Sequence, residues 1–257
     1  MRQLKNLYGQ VVETLGRQIA SGQWPPGPAP NESQLAENLG VSRVVIREAI
    51  KALAAKGMVS VGPSIGTRVL PRESWNLLDP QVLEWHTAAD IGREMVADLI
   101  ELRRIIEPEA ARLAAVRATT EDLAVIRAAY QRMTSTAAQA PEEYVKADAA
   151  FHTAVLAASH NQLLCQLRGA LSQLLRLGFS LSSQHPDAAL STLPHHEALL
   201  LCLERRDGAA AAEAVHRLID RNQRHFSSVL GVREESPGAA APAPPDLRQR
   251  KTSSHAP

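Results

Sequence analysis

The first 70 residues run in the order helix, short helix, tight turn, helix, paired β runs, and each boundary carries its own signal. Leu4, Leu7, Val11, Leu15 and Ile19 recur at helical spacing, and "SGQWPPGPAP" ends that helix in a stiff Pro-rich loop. Asn31 caps a short second helix bearing Leu35 and Leu39, with Gln34 three residues on as its capping-box partner. "LGVS" turns into a third helix, "VSRVVIREAIKAL", with Ser42 as its N-cap. "GMVSVGPSIGTRVL" then gives β-prone runs at 58–61 and 67–70 around a Gly/Pro turn.

Within the third helix Ile46, Ala49, Ile50 and Leu53 form one apolar face, while Arg43, Arg47 and Lys51 step along another at four-residue intervals. One side packs and the other presents positive charge. The whole chain carries only +1, but residues 1–72 hold nine Lys/Arg against four Asp/Glu, a net of +5, which leaves −4 for the remainder. A basic first part on an acidic second part suggests an anion-binding module joined to something else. The element order is that of a winged helix-turn-helix; the competing reading is a three-helix bundle with an incidental hairpin. In the winged motif the second helix of the pair enters the major groove and its first turns meet base edges. Arginine reads guanine bidentately and lysine neutralises phosphate. Ser42, Arg43, Arg47 and Lys51 are therefore the DNA-contact candidates, against the alternative that the charges are solvated surface groups.

The chain divides as 1–70, a linker at 71–78 ("PRESWNLL", with Trp75 as an apolar docking residue), an all-helical part at 79–232, and a Pro/Ala-rich tail at 233–257 expected to be disordered. Helices are expected near 79–89, 91–117, 119–138, 141–159, 161–183, 187–206 and 207–230, with a bend at Pro108. The pattern shows almost no strand signal after residue 70. With aromatics at 4%, such a core rests on Leu, Ala, Ile and Val, as in an antiparallel helical bundle. Cys165 and Cys202 lack metal or disulfide spacing, which suits a reducing cytoplasm. No apolar run is long enough to span a membrane, and the N-terminus lacks a signal-peptide pattern.

Bundles build ligand and metal sites from facing helices. Asp148 and His152 share a face at i, i+4; His195 and His196 open another helix; His216 and Asp220 lie on the last. A carboxylate with two or three imidazoles suits a divalent ion such as Zn, Mn or Ni, whereas an Asp–His pair at this spacing also forms a local hydrogen bond. Arg103 either pairs with Glu107 one turn on, as a solvated ion pair, or points inward to clamp a carboxylate. The common hydrolase, nucleotide-binding and zinc-protease signatures are missing.

"VSRVVIREAIKALAAKGMV", "GTRV", "ELRRIIEPEAARLAA", "DAAFHTAVLAASHN" and "HHEALLLCLERRDGAAAAEAV" together resemble the GntR family of bacterial transcription regulators, FadR subfamily, with a C-terminal FCD domain. "ESWNLLDPQVLEW" and "RRDGAAAAEA" look closest to the branch that represses galactonate operons. The resemblance covers about residues 4–230. It implies that Arg43 and Arg47 contact DNA, that Asp148, His152 and His196 hold a metal, and that Arg103 meets the carboxylate of an effector such as D-galactonate or a related aldonate. Three departures stand out. The loop "PGPAPNE" is one residue shorter than the family's and lacks its Leu. The wing lacks its usual basic residue, leaving Arg68 as the nearest candidate. The family's third His on the last helix has no clean match, His216 falling about one turn early. The expectation is a homodimeric, effector-released repressor of operator DNA in the cytoplasm. A sensor of another carboxylate, a metal-dependent enzyme on a helical bundle and an effector-free architectural DNA-binding protein remain open.

Overall fold

The computed structural model describes residues 2–62, 65–86, 93–182 and 188–229, so the expected tail at 233–257 lies outside the described residues. The N-terminal part is α1 (Arg2–Ala20), β1 (Gly27–Pro28), α2 (Glu32–Leu39), α3 (Arg43–Ala55), β2 (Val59–Gly62) and β3 (Gly66–Val69). The caps fall where the sequence puts them. Asn31 Oδ1 accepts the Gln34 amide at 2.9 Å, Gln34 returns the bond to the Asn31 amide at 3.1 Å, and Ser42 accepts the Val45 amide. Gly40, at φ +64°, closes α2 in the left-handed conformation and allows the tight turn into α3. β2 and β3 pair antiparallel with Val59 opposite Val69 and Gly62 opposite Gly66. β1 was not anticipated: the Pro-rich loop lays Gly27 and Pro28 along the outer edge of β3, giving the order β1-β3-β2. Proline is tolerated there because an edge strand needs no donor on its open side.

The core of this part gathers Val11, Leu15 and Ile19 of α1, Leu35 of α2, the apolar face Ile46, Ala49, Ile50 and Leu53 of α3, and Met58, Val59 and Val69 of the wing. A single 3-10 turn (Arg72–Ser74) and α4 (Pro80–Glu84) follow. Gly57 (φ +73°) lets the 3-10 turn pack close: a Cβ there would lie 2.2 Å from the Ser74 carbonyl oxygen.

The helical part comprises α5 (Arg93–Arg117), α6 (Thr120–Thr136), α7 (Pro141–Ala158), α8 (Gln162–Gln166), α9 (Arg168–Ser182), α10 (Ala188–Glu204) and α11 (Gly208–Val229). Its main core interleaves Ala111, Ala114 and Ala115 of α5 with Ile126 and Met133 of α6, Phe151 and Val155 of α7, Leu199 and Leu203 of α10, and Val215 and Ile219 of α11. Alanines along α5 allow the close approach of α11. α5 is unbroken across Pro108. The segment expected as one helix at 161–183 is two: Asn161 caps α8, and the chain turns at Leu167 before α9 starts. The helix expected at 79–89 ends at Glu84, and residues 87–92 lie outside the described set.

Candidate functional site

Two regions carry the candidate residues. On α3, Ser42, Arg43, Arg47 and Lys51 are exposed on the face opposite Ile46 and Ile50, and Arg68 is exposed on β3. Their partners differ. Arg47 grips Glu32 of α2 through Nε (3.3 Å to each oxygen) and Nη2 (2.9 Å). Lys51 pairs with Glu48 at 2.8 Å. The Glu32 contact ties the Arg47 guanidinium of α3 to α2 while the side chain stays 60% exposed.

Inside the bundle, α7 and α10 bring Asp148, His152 and His196 together, with one ligand atom from each within 4.8 Å of the others. His196 Nε2 lies 3.1 Å from Asp148 Oδ1 and 3.3 Å from His152 Nε2, and His152 Nε2 lies 3.9 Å from the same carboxylate oxygen. Both rings are anchored by their other nitrogen. His196 Nδ1 lies 2.9 Å from the Thr192 carbonyl oxygen, which can only accept, so this nitrogen carries the proton. His152 Nδ1 lies 2.7 Å from Glu107 Oε2. Burial alone pushes the Glu107 carboxyl up, but the Arg103 charge and the hydrogen bonds from His152 and Arg103 outweigh it and hold it well below the usual carboxylate range. Glu107 is therefore an acceptor, and His152 Nδ1 also carries its proton.

In the neutral Nδ1–H form that a metal ligand takes, the two rings turn their Nε2 lone pairs toward a carboxylate oxygen, so that three donors converge on one point. Two nitrogens bound to one tetrahedral ion at about 2.0–2.1 Å stand roughly 3.3–3.4 Å apart, which is the separation of these two. The donor set fits a divalent ion. Charge argues the same way: Arg103, Glu107 and Asp148 sum to −1 in a buried cluster, and a lone buried charge is costly.

Residues 7–69 match the gntR family of bacterial regulatory proteins, and residues 98–221 match the FCD domain. The galactonate operon transcriptional repressor of Escherichia coli (strain K12) is 37% identical over 226 residues, spanning 87% of this chain and 98% of that one. The chain belongs to the GntR family. The Glc operon transcriptional activator of the same strain is 32% identical over 170 residues, 64% of this chain and 65% of that one. Among solved structures, the Listeria monocytogenes protein Lar matches with a TM-score of 0.64 at 19% identity, covering 86% of this chain and 96% of that chain. Escherichia coli McbR/YncC matches with a TM-score of 0.53 at 20% identity, covering 86% and 97%. These two likenesses are of the fold.

GntR-family relatives are transcriptional regulators, and their FCD domains take small-molecule effectors and, in some members, a metal ion. As a GntR regulator, the chain has its winged domain in the first core and its FCD domain in the second. No helix among the described residues is long and apolar enough to cross a membrane. Two expected site residues fall differently from the sequence reading. His216 is half-buried on α11 and does not join the Asp148 group; the buried positions of that helix among the described residues are Ala211, Ala214, Val215, Leu218 and Ile219, and Asp220, one turn on, pairs with Arg104 instead. Arg103 does pair with Glu107, Nε to Oε1 at 2.5 Å, but the pair is buried rather than solvated, at 4% and 3% side-chain exposure. Glu107 itself was missed as a site residue.

Trp75 docks as expected, on the winged domain's own core, its indole N–H donating to the Leu70 carbonyl at 2.9 Å. The residue that crosses between domains is another tryptophan. Trp85, just after α4, is 1% exposed in the winged core and donates to Glu13 of α1 at 2.7 Å. α4 thus has two allegiances: Val82 and Trp85 belong to the winged core, and Leu83 packs with Leu99, Ala170 and Leu174 of the FCD domain. Lys56 fixes the start of α4 by a 2.7 Å pair with Asp79. Just before α4, Leu78 helps line a small cavity with Arg103, Glu107 and Leu171.

Proposed function

We propose that this regulator represses a sugar-acid catabolic operon and leaves its operator when a small carboxylate, D-galactonate or a related aldonate, binds in the FCD domain. It acts in the cytoplasm as a homodimer on a two-fold operator, since a symmetric pair of winged domains reads a palindrome. Arg43 and Arg47 read bases from the first turns of α3, with Ser42 and Lys51 beside them and Arg68 reaching from the wing. Asp148, His152 and His196 hold a divalent ion of the Zn, Mn or Ni type. When bound, that ion supplies positive charge and free coordination positions for carboxylate and hydroxyl oxygens.

The observation that carries the reading is the buried −1 cluster whose three lone-pair donors meet at one point. A divalent ion turns it to +1, a suitable charge for a monoanion. Arg103 contributes directly: Glu107 takes its Nε edge, leaving the Nη1 edge for the effector carboxylate. The relatives are regulators, so we read the domain as one that senses rather than catalyses. Release requires the effector to favour one domain arrangement over the other. The route runs through α4, which packs on α9 and the cavity edge on one side and on α1 on the other.

The test is fluorescence anisotropy with DNA from upstream of the chain's own gene, at fixed salt because phosphate contacts are salt-dependent, with and without a panel of aldonates. Tight binding released by one sugar acid is the expected result. Tight binding indifferent to every aldonate overturns the effector assignment. Binding that tightens with the aldonate overturns release as the mode of control.

A further inference from the structure

α5 gives no ligand atom to the Asp148 group, yet it holds the group's most deeply buried carboxylate. Glu107 is 2% exposed: its Oε1 lies 2.5 Å from Arg103 Nε on its own helix, and its Oε2 lies 2.7 Å from His152 Nδ1 on α7 and 3.5 Å from Arg103 Nη2. The two histidines of the group are thereby anchored in unlike ways. His196 donates to a backbone carbonyl, that of Thr192. His152 donates to an ionised side chain that is itself clamped by an arginine. The hydrogen bond decides which nitrogen of the ring keeps its proton and which turns a lone pair inward.

We propose that Glu107 is a positioning residue for the metal group. It locks His152 in the Nδ1–H tautomer, aims Nε2 at the point shared with His196 and Asp148, and makes that imidazole a stronger donor. Arg103 holds Glu107 in place through its 2.5 Å contact with Oε1, so the chain Arg103–Glu107–His152 ties the geometry of the metal group to the residue that faces the cavity. The inference rests on the metal reading given above. A carboxylate behind a metal-binding histidine raises ligand basicity, and its loss typically costs 10–100-fold in metal affinity.

The experiment is metal affinity of the full-length chain by competition with a chromogenic zinc chelator, alongside the visible absorption of the Co²⁺-loaded protein. Glu107→Gln keeps the shape and an acceptor oxygen but removes the charge; Glu107→Ala removes both. Zn²⁺ affinity should fall about 10-fold or more for Gln and further for Ala, with a changed Co²⁺ spectrum in the alanine variant and operator affinity of the metal-free protein unchanged. A role in packing alone would leave the near-isosteric Gln variant at wild-type affinity. If loss of the buried counter-charge to Arg103 prevents folding, the double variant Arg103→Met with Glu107→Gln removes both charges, and the same fall in affinity is expected. Wild-type Zn²⁺ affinity in a folded Glu107→Gln or double variant overturns the inference alone. Failure of the wild-type chain to take up Zn²⁺, Mn²⁺ or Ni²⁺ overturns the metal reading and this inference with it.

Discussion

Two glycines on α1 should respond to the same substitution with opposite signs. Gly9 and Gly16 both lie inside the helix, where Ala is worth roughly 0.4–1 kcal/mol over Gly through helix propensity and a less disordered unfolded chain. A Cβ at Gly9 would meet nothing within 4 Å, whereas a Cβ at Gly16 would lie 2.5 Å from Cδ2 and Cε2 of Trp85 and 2.6 Å from Cε3. The indole cannot easily retreat: it is 1% exposed and its N–H is tied to Glu13 at 2.7 Å. Overpacking costs about 1–3 kcal/mol, and a strained hydrogen bond to a carboxylate adds up to about 1.5. After the helix gain is subtracted, Gly16→Ala should destabilise the winged domain by roughly 1–3 kcal/mol, while Gly9→Ala stabilises it by a few tenths to about 1. Guanidinium unfolding followed by tryptophan fluorescence measures both, using the transition that reports the winged domain because a two-domain chain need not unfold in one step. If the two alanines shift the midpoint in the same direction by similar amounts, α4 and Trp85 do not dock on α1 as described.

Three further outcomes are expected. Arg47→Ala should weaken specific operator binding by roughly 1–3 kcal/mol and leave the helical domain folded; unchanged affinity by anisotropy removes Arg47 from the interface. His152→Ala should lower bound Zn²⁺, measured after dialysis, and blunt the effector response without abolishing DNA binding; full Zn²⁺ content would take His152 out of the ligand set. Asp79 gives a pH signature. Burial pushes its carboxyl up, but the Lys56 hydrogen bond and the amides of Gln81 and Val82 outweigh that and hold it below its ordinary range. A depressed carboxyl adds stability that is present above the unfolded value of about 3.9 and lost as the pH falls through and below it. Asp79→Asn keeps a capping oxygen and removes the charge, so its stability deficit by urea unfolding should be full at pH 7 and close towards pH 3; a deficit constant across that range refutes the Lys56–Asp79 contribution.

The winged domain was legible because its signals are local. A capping box, an N-cap, a Gly turn and one apolar helical face each involve residues within a turn or two of each other, and all four agree on the same boundaries. β1 was not legible, since Gly27 and Pro28 become a strand only through β3, about forty residues away. The split between α8 and α9 was hidden for a similar reason. Leu163 to Leu177 keeps a helical period throughout, and the turn at Leu167 is imposed where α9 must pass close to α4: a Cβ on Gly169 would lie 2.7 Å from the Pro80 ring.

The metal group was half legible. Asp148 and His152 are one turn apart on α7, so spacing alone puts them on one face; the family resemblance added His196, and the fold joins it to the pair and leaves His216 out. Glu107 shows what spacing leaves out. Its position one turn after Arg103 was visible, and a pair at i, i+4 on a charged helix reads by default as a solvated ion pair. The contrary signal lay in the seam of α5. Val96, Leu99, Arg103, Glu107, Ala110 and Ala114 fall on one continuous face, and all six are buried. Two charges placed in an otherwise apolar seam incur a desolvation penalty that a surface pair escapes, and buried charges of this kind are retained with partners. Arg103 has one such partner, Glu107, but Glu107 Oε2, 3.5 Å from Arg103 Nη2, has a lone pair to spare. That lone pair required a donor from another helix, and the nearest candidate class was the histidine set already picked out for a metal. Charge set into a core seam, in a chain that also carries an imidazole cluster, thus points to a carboxylate that supports a histidine, and the amino-acid order alone holds that signal.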